Sequence, residues 1–151
     1  MKQASLSTPF GDLTPTEEDG AITALGWGQA ARQDRSDLLD AALRQLKEYA
    51  TGERQSFDLP LRVMGSDFQR AVCTAILAIP FGHTRTYGEI ARDLGVPAQA
   101  VGGACGGNPI PIIIPCHRVM GAKGLTGFSG AGGVKTKVAL LRHEGAAGLL
   151  I

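Results

Sequence analysis

Short apolar segments and turn residues alternate over the first 30 residues of the chain. Pro9–Leu13 and Ala21–Trp27 are predicted as strands, and Asp19-Gly20 between them is a pair typical of tight hairpin turns. From Ser36 onward, leucine and alanine recur at every third or fourth position until Thr51-Gly52. The pattern therefore predicts two strands followed by one amphipathic helix.

The chain beyond residue 62 has the spacing of helices. Ser66 is followed three residues later by Gln69, and Thr86 is followed at the same distance by Glu89. A hydroxyl residue with Glu or Gln three positions on is typical of a capping box, in which two side chains satisfy the free N–H groups at a helix start. We therefore expect helices to begin at both places, the first of them ending at Pro80.

A third helix is predicted from Pro97 to Gly107. Proline is well tolerated at the first position of a helix, and the segment is rich in alanine and glycine. It follows the preceding helix after the glycine turn at Gly95, so that the two helices have the pattern of a helix-turn-helix. On the pattern alone, an ordinary helical hairpin fits equally well.

Composition sets limits on the class of protein. The chain has 151 residues, 44% of them hydrophobic, and a net charge of +1, which suits one compact globular unit or two small ones. No apolar run reaches the roughly 18 residues that a membrane-spanning helix needs, and the N-terminus lacks the apolar segment of a signal peptide. We expect a cytoplasmic protein with no membrane partner.

The three cysteines are Cys73, Cys105 and Cys116. Their odd number and the absence of any Cys-x-x-Cys spacing argue against a disulfide framework and against a zinc site. We therefore expect free thiols, no metal and no cofactor.

One cysteine has neighbours that suit nucleophilic chemistry. Cys116 follows the apolar run Ile112–Ile114, which is predicted as a short strand, and is followed directly by His117. Only a thiolate is a good nucleophile, and a nearby imidazole or cation favours it. The alternative for a lone cysteine is a buried, inert side chain.

Three motifs of the C-terminal half occur together in one known family. Asn108-Pro109, the run Pro115-Cys116-His117-Arg118-Val119 and the segment Leu141–Gly145 resemble the active-site signature of the O6-alkylguanine-DNA alkyltransferases. The resemblance implies an α+β protein: a supportive N-terminal α/β domain over residues 1–61, and a mostly helical domain over 62–151 with a helix-turn-helix and the active-site cysteine. It also implies repair of double-stranded DNA by transfer of the alkyl group from O6-alkylguanine to the protein's own cysteine, without turnover.

The same resemblance implies the roles of the site residues. Cys116 is the nucleophile, and His117 removes its proton through a water molecule while Glu144 orients the imidazole. Tyr87 hydrogen-bonds the flipped guanine. Asn108 connects the recognition helix to the active-site segment.

Further residues are expected to contact DNA or substrate. Arg118 is expected to stabilise the site rather than react, and Gln99 stands where the family usually has arginine. A neutral amide there predicts weak duplex binding and slow repair, and a single-turnover protein is expected to act as a monomer. The full set of expected DNA and substrate contacts is Gln99, Ala100, Gly102, Asn108, Arg118, Val119, Phe128 and Ser129.

Three other functions fit parts of the pattern. Alkyltransferase-like proteins bind the same lesions without transfer, but they lack the cysteine that is present here as Cys116. A thiol hydrolase using Cys116 and His117 would release its product, whereas a thioether stays on the protein. An alkylated molecule other than duplex DNA is a third candidate, because the recognition helix departs from the family pattern.

Overall fold

The computed structural model describes residues 1–122 and 133–147, and the chain divides into two compact units after Met64. The first unit is built on an antiparallel sheet in which β3 (Gly11–Glu18) is central. The short strands β1 (Lys2–Gln3) and β2 (Leu6–Thr8) pair along one edge of β3. The strand β4 (Ala21–Trp27) pairs along the other edge.

The predicted hairpin turn is confirmed, but the strand predicted before it begins two residues later than expected and extends further. Asp19 and Gly20 both have positive φ, as a type I′ turn requires, and β4 has the predicted bounds. Of the predicted strand Pro9–Leu13, the last three residues lie in β3, whereas Pro9 and Phe10 form a turn. Its cause is local, because the Thr8 hydroxyl accepts from the N–H of Phe10 and donates to the carbonyl of Gly11, which bends the chain before β3 begins.

One helix packs on this sheet. The helix α1 (Asp37–Ala50) begins after Ser36, whose hydroxyl accepts from the N–H of Leu39 at 3.0 Å, and its C-cap is Thr51. Its apolar face buries Leu39, Ala42, Leu46 and Tyr49. The start and end of this helix are those that the sequence predicts, because both caps are local features.

In the described part of the second unit there are four α-helices, and the first two begin at the predicted serine and threonine caps. The helix α2 (Asp67–Leu77) begins after Ser66, and α3 (Tyr87–Leu94) begins after Thr86. Only α3 has the full capping box, with Thr86 and Glu89 bonded reciprocally at 2.7 and 3.1 Å.

The capping box expected at α2 is half formed. Ser66 accepts from the N–H of Gln69, but the Gln69 amide reaches away from the cap and donates to the carbonyl of Ala104 at 2.8 Å. Ala104 belongs to α4 (Ala98–Gly106). The Gln69 side chain therefore makes a tertiary hydrogen bond to another helix instead of the local bond that a capping box requires.

The helices α3 and α4 pack against each other as the predicted helix-turn-helix. Gly95 ends α3 in the left-handed conformation with φ of 69°, and Pro97 is the N-cap of α4. A residue with a side chain is strained at such a φ, so the tight turn depends on glycine.

The apolar run before Cys116 is not the predicted strand. Ile112 has a positive φ of 69°, and the carbonyls of Ile110 and Pro111 accept from Ile114 and Ile113 within tight turns. Three prolines in this stretch, at positions 109, 111 and 115, lack the N–H that a strand ladder needs. The isoleucines are therefore buried by a compact loop, and residues Cys116–Arg118 form one turn of 3₁₀ helix.

Two further elements bring distant parts of the second unit to this turn. The strand β6 (Val119–Met120) pairs in parallel with β5 (Arg85–Thr86), which places the start of α3 beside the Cys116 segment. The helix α5 (Val134–His143) packs on the 3₁₀ turn and ends at Glu144. Among the described residues, no helix is long and apolar enough to cross a membrane.

Candidate active site

The site is centred on the 3₁₀ turn of Cys116, His117 and Arg118. All three side chains are buried, and His117 is fully inaccessible to solvent. A buried charged or polar side chain needs partners to offset its lost hydration, so the hydrogen bonds around this turn define the site.

Asn108 connects α4 to the turn. Its N–H bonds the carbonyl of Cys105 near the end of α4, at 3.2 Å. Its side chain donates to the carbonyl of Ile114 at 2.8 Å and accepts from the N–H of Ile110 at 3.0 Å. The same side chain also lowers the pKa of the Cys116 thiol. The structure thus places this residue between the helix and the cysteine.

Glu144 is the hub of a buried charge network. It accepts from Nε2 of His117 at 2.7 Å, and from Nε and Nη2 of Arg118 at 2.8 and 3.0 Å. The third nitrogen of Arg118 donates to the carbonyl of Ile79 at 2.7 Å, and the guanidinium lies 5.8 Å from the ring centre of Phe81. Burial alone would raise the pKa of Glu144, but the bonds and charges of His117 and Arg118 lower it to about 2.

The network fixes the tautomer of His117. Because Glu144 is ionised and accepts at Nε2, that nitrogen carries the hydrogen and Nδ1 keeps its lone pair. Burial lowers the pKa of His117 below its ordinary value, so the ring is neutral near pH 7. Its Nδ1 is buried with no hydrogen-bond partner among the described residues. A neutral imidazole with one free lone pair is a base ready to take a proton.

Burial disfavours the thiolate of Cys116, whereas the adjacent His117 in the sequence suggests that the thiolate is favoured. The pKa of the thiol is raised by burial, although the hydrogen bond from Asn108 and the charge of Lys137 partly oppose the shift. The resting side chain is therefore a thiol, and nucleophilic attack requires removal of its proton in the reaction. The other two cysteines are buried as well, and burial together with the nearby Cys116 raises the pKa of Cys105 to about 12.

Lys137 is a site residue that the sequence analysis did not identify. It is fully buried, and its Nζ donates to the carbonyl of Val119 at 2.6 Å and lies 5.8 Å from the ring centre of Tyr87. Burial lowers its pKa, while the nearby Cys116 and Cys105 oppose that shift. A signal was present in the sequence, because Lys137 lies seven residues before Glu144 and so on the same face of α5.

A groove of about 750 Å³ is lined by the start of α3, by α4 and by the two residues that follow β6. Its wall is made almost entirely of small residues, which leave room for a flat or extended ligand. Tyr87 and Gln99 are the two larger side chains of the lining, which also includes Gly102, Gly103, Gly121 and Ala122.

The expected residues are thus divided between two places. Cys116, His117, Arg118, Glu144 and Asn108 form the buried network, whereas Tyr87, Gln99 and Gly102 line the groove. The half-buried Ala100 lies on α4. The carbonyls of Cys116 and Val119 already accept from Val119 and Lys137, and each keeps a second lone pair.

Two expected contacts are not described. Phe128 and Ser129 lie outside the described residues. Among the described residues, no group of three or more His, Cys, Asp or Glu side chains is suited to hold a metal ion.

Comparisons with known proteins give the same family for both units. Residues 1–63 match the family described as 6-O-methylguanine DNA methyltransferase, ribonuclease-like domain, and residues 67–146 match its DNA binding domain. A methylated-DNA–protein-cysteine methyltransferase of Mycobacterium bovis is 54% identical over 150 residues, which cover 93% of this chain and 90% of the relative.

More distant relatives and solved structures agree. A constitutive methylated-DNA–protein-cysteine methyltransferase of Bacillus subtilis is 40% identical over 138 residues, covering 82% of this chain and 84% of the relative. The crystal structure of the Mycobacterium tuberculosis enzyme OGT in complex with DNA matches with a TM-score of 0.86 and 41% identity, over 96% of this chain and 93% of that one.

Proposed function

The chain belongs to the 6-O-methylguanine DNA methyltransferase family, and from this premise we propose that Cys116 is the residue that accepts the methyl group from O6-methylguanine. The protein is a DNA-binding repair methyltransferase, as its relatives are. The specificity for O6-alkylguanine and action as a cytoplasmic monomer belong to the same proposal.

The observation that carries the assignment is the neutral His117 in the same turn as Cys116, with its Nδ1 lone pair unused among the described residues. In the proposed reaction, His117 takes the thiol proton through a water molecule. The sulfur then forms a bond to the methyl carbon while the bond from that carbon to guanine O6 breaks, and the electron pair goes to the guanine. The product is a thioether, which water does not reverse, so each molecule acts once.

The groove supports a flipped nucleotide as the substrate. A guanine inside a duplex is out of reach of a buried thiol, so the nucleotide must leave the stack at a cost of a few kcal/mol. The small residues on α4 support close approach to the minor groove, and the half-buried Tyr87, which lines the groove, is proposed to hydrogen-bond the base.

The direct test is the intact mass of the protein after incubation with duplex DNA that contains one O6-methylguanine. We expect a gain of one methyl group per molecule and a reaction that stops when the protein is consumed. The same duplex with unmodified guanine is the control. Lesion binding without a mass gain would favour a sensor function, and continued turnover would favour a hydrolase.

Lys137 is proposed to assist the nucleophile. We expect Lys137→Met to slow methyl transfer by about ten- to a hundredfold, because loss of one charge-assisted interaction is worth roughly 1.5–3 kcal/mol. Single-turnover rates measured by mass spectrometry would show the effect. Lys135→Met, on the exposed side of the same helix, is the matched control and is expected to react normally. Equal rates for both variants would remove Lys137 from the mechanism.

Gln99 is proposed to limit the rate on duplex DNA. It is exposed in the first turn of α4 and lines the groove, and it is a neutral side chain at the position where the resemblance implies an arginine. We expect Gln99→Arg to accelerate repair of duplex DNA by about ten- to a hundredfold, which corresponds to roughly 1.5–3 kcal/mol in the flipped state.

The comparison with Gln99→Lys distinguishes the effect of the positive charge from that of guanidinium hydrogen bonding, since lysine adds the charge without the planar set of donors. The measurement is the single-turnover rate on a duplex and on the corresponding single strand. A Gln99→Arg variant no faster than the wild type on the duplex would contradict the proposal.

A further inference from the structure

Arg118 makes two hydrogen bonds to Glu144, whereas His117 makes one. Its guanidinium occupies both oxygens of the carboxylate, at 2.8 and 3.0 Å, whereas His117 shares one of those oxygens at 2.7 Å. Arg118 is itself fixed from a third side by the carbonyl of Ile79. The carboxylate is therefore matched by a full positive charge before the imidazole is considered.

We propose that Arg118 is a positioning residue for methyl transfer, which keeps the imidazole of His117 neutral by occupying both oxygens of Glu144. The inference rests on the proposed role of His117 as the base. An imidazole bonded to an unmatched buried carboxylate gains a proton readily, and a protonated ring has no lone pair with which to accept the thiol proton. The bidentate contact of Arg118 prevents this while leaving the hydrogen bond that orients the ring.

The charged groups that face His117 act on its protonation in opposite directions. Glu144 on α5 favours the protonated ring, whereas Arg118 in the same turn and Lys137 on α5 oppose it, as does burial. Of the two cations, only Arg118 is hydrogen-bonded to Glu144 among the described residues. Removing Arg118 therefore changes the charge balance at the imidazole, whereas a merely structural role predicts no change in its titration.

The test is the pH dependence of single-turnover methyl transfer in the wild type, Arg118→Met and Arg118→Lys. For Arg118→Met we expect the acid limb of the profile to move to higher pH. On the acid limb the rate should fall about tenfold relative to the wild type for each pH unit by which the limb moves, with a much smaller change near pH 9, where the ring is neutral in both proteins. Arg118→Lys keeps the charge, and its limb should stay close to that of the wild type.

A second readout does not depend on activity. NMR titration of the histidine ring signals gives the protonation of His117 directly, and comparison with His117→Gln separates its signals from those of His83 and His143. We expect the ring of His117 to protonate at higher pH in Arg118→Met than in the wild type. An unchanged titration would overturn the proposal, as would a rate lowered equally at all pH values.

A second pair of variants covers the case in which Arg118→Met does not fold. In Glu144→Gln the charge of Arg118 stays without the carboxylate, and in the double variant Arg118→Met, Glu144→Gln both charges are gone. We expect His117 to protonate at lower pH in Glu144→Gln than in the double variant, and identical titrations would overturn the proposal. Failure of the proposed role of His117 as the base is distinguishable from failure of this inference. In that case His117→Gln would transfer methyl groups at the wild-type rate.

Discussion

Replacing Cys116 with alanine is expected to abolish methyl transfer, with a loss of at least about 10⁴-fold, as for other covalent nucleophiles. No thioether can form without the sulfur, and the other two thiols of the chain are poor substitutes because burial raises the pKa of Cys73 and of Cys105. The measurement is the intact mass after incubation with methylated duplex DNA, followed by peptide mapping of any modified residue.

Matched controls separate the acceptor from a general effect on the fold. Cys73→Ala and Cys105→Ala each remove a buried thiol of the second unit and should still gain one methyl group at Cys116. Binding of the lesion-containing duplex by Cys116→Ala should persist, since the groove is unchanged. A methyl group found on Cys105 in the wild type would overturn the assignment of the acceptor.

Replacing Glu144 with glutamine is expected to lower the free energy of unfolding by about 3–5 kcal/mol. The side chain of Glu144 has no solvent exposure and that of Arg118 is 7% exposed, so the variant leaves a buried guanidinium without its counter-charge. Urea denaturation followed by circular dichroism near pH 7 measures the change.

The pH dependence of this stability has a defined sign. Glu144 has a folded-state pKa of about 2 against an ordinary 4.5, so its contribution is fully present above about pH 4.5 and is lost as the pH falls through about 2. The wild type should therefore lose its advantage over Glu144→Gln across that interval. The double variant Arg118→Met, Glu144→Gln should be more stable than Glu144→Gln alone near pH 7. An advantage that does not change with pH would contradict the assigned ionisation.

The elements that the sequence predicted correctly are those fixed by local chemistry. The Asp19-Gly20 turn, the caps of α1 and the capping box of α3 depend on residues within four positions of each other. The hydrogen bonds of each of these features are made by residues close in sequence, so each forms with little help from tertiary packing.

Two predictions, the capping box at α2 and the strand before Cys116, were wrong because other partners take the hydrogen-bonding groups concerned. The Gln69 amide leaves its local cap for the carbonyl of Ala104, 35 positions away. The isoleucine run has the composition of a strand, but its prolines lack the N–H that a strand ladder needs, and the Asn108 side chain and tight turns satisfy its backbone groups in a loop. Local propensity cannot anticipate which long-range partner is available.

The sequence by itself determined the family, the two-part α+β organisation and which cysteine, histidine and glutamate are the candidates for the site, because these rest on residue types at fixed spacing. Only the tertiary structure decided how those residues are poised. It showed that Cys116 rests as a thiol, that Arg118 shares Glu144 with His117, and that Lys137 belongs to the site. Each of these depends on burial and on contacts between residues far apart in the chain, and burial sets the cost of every charge at the site.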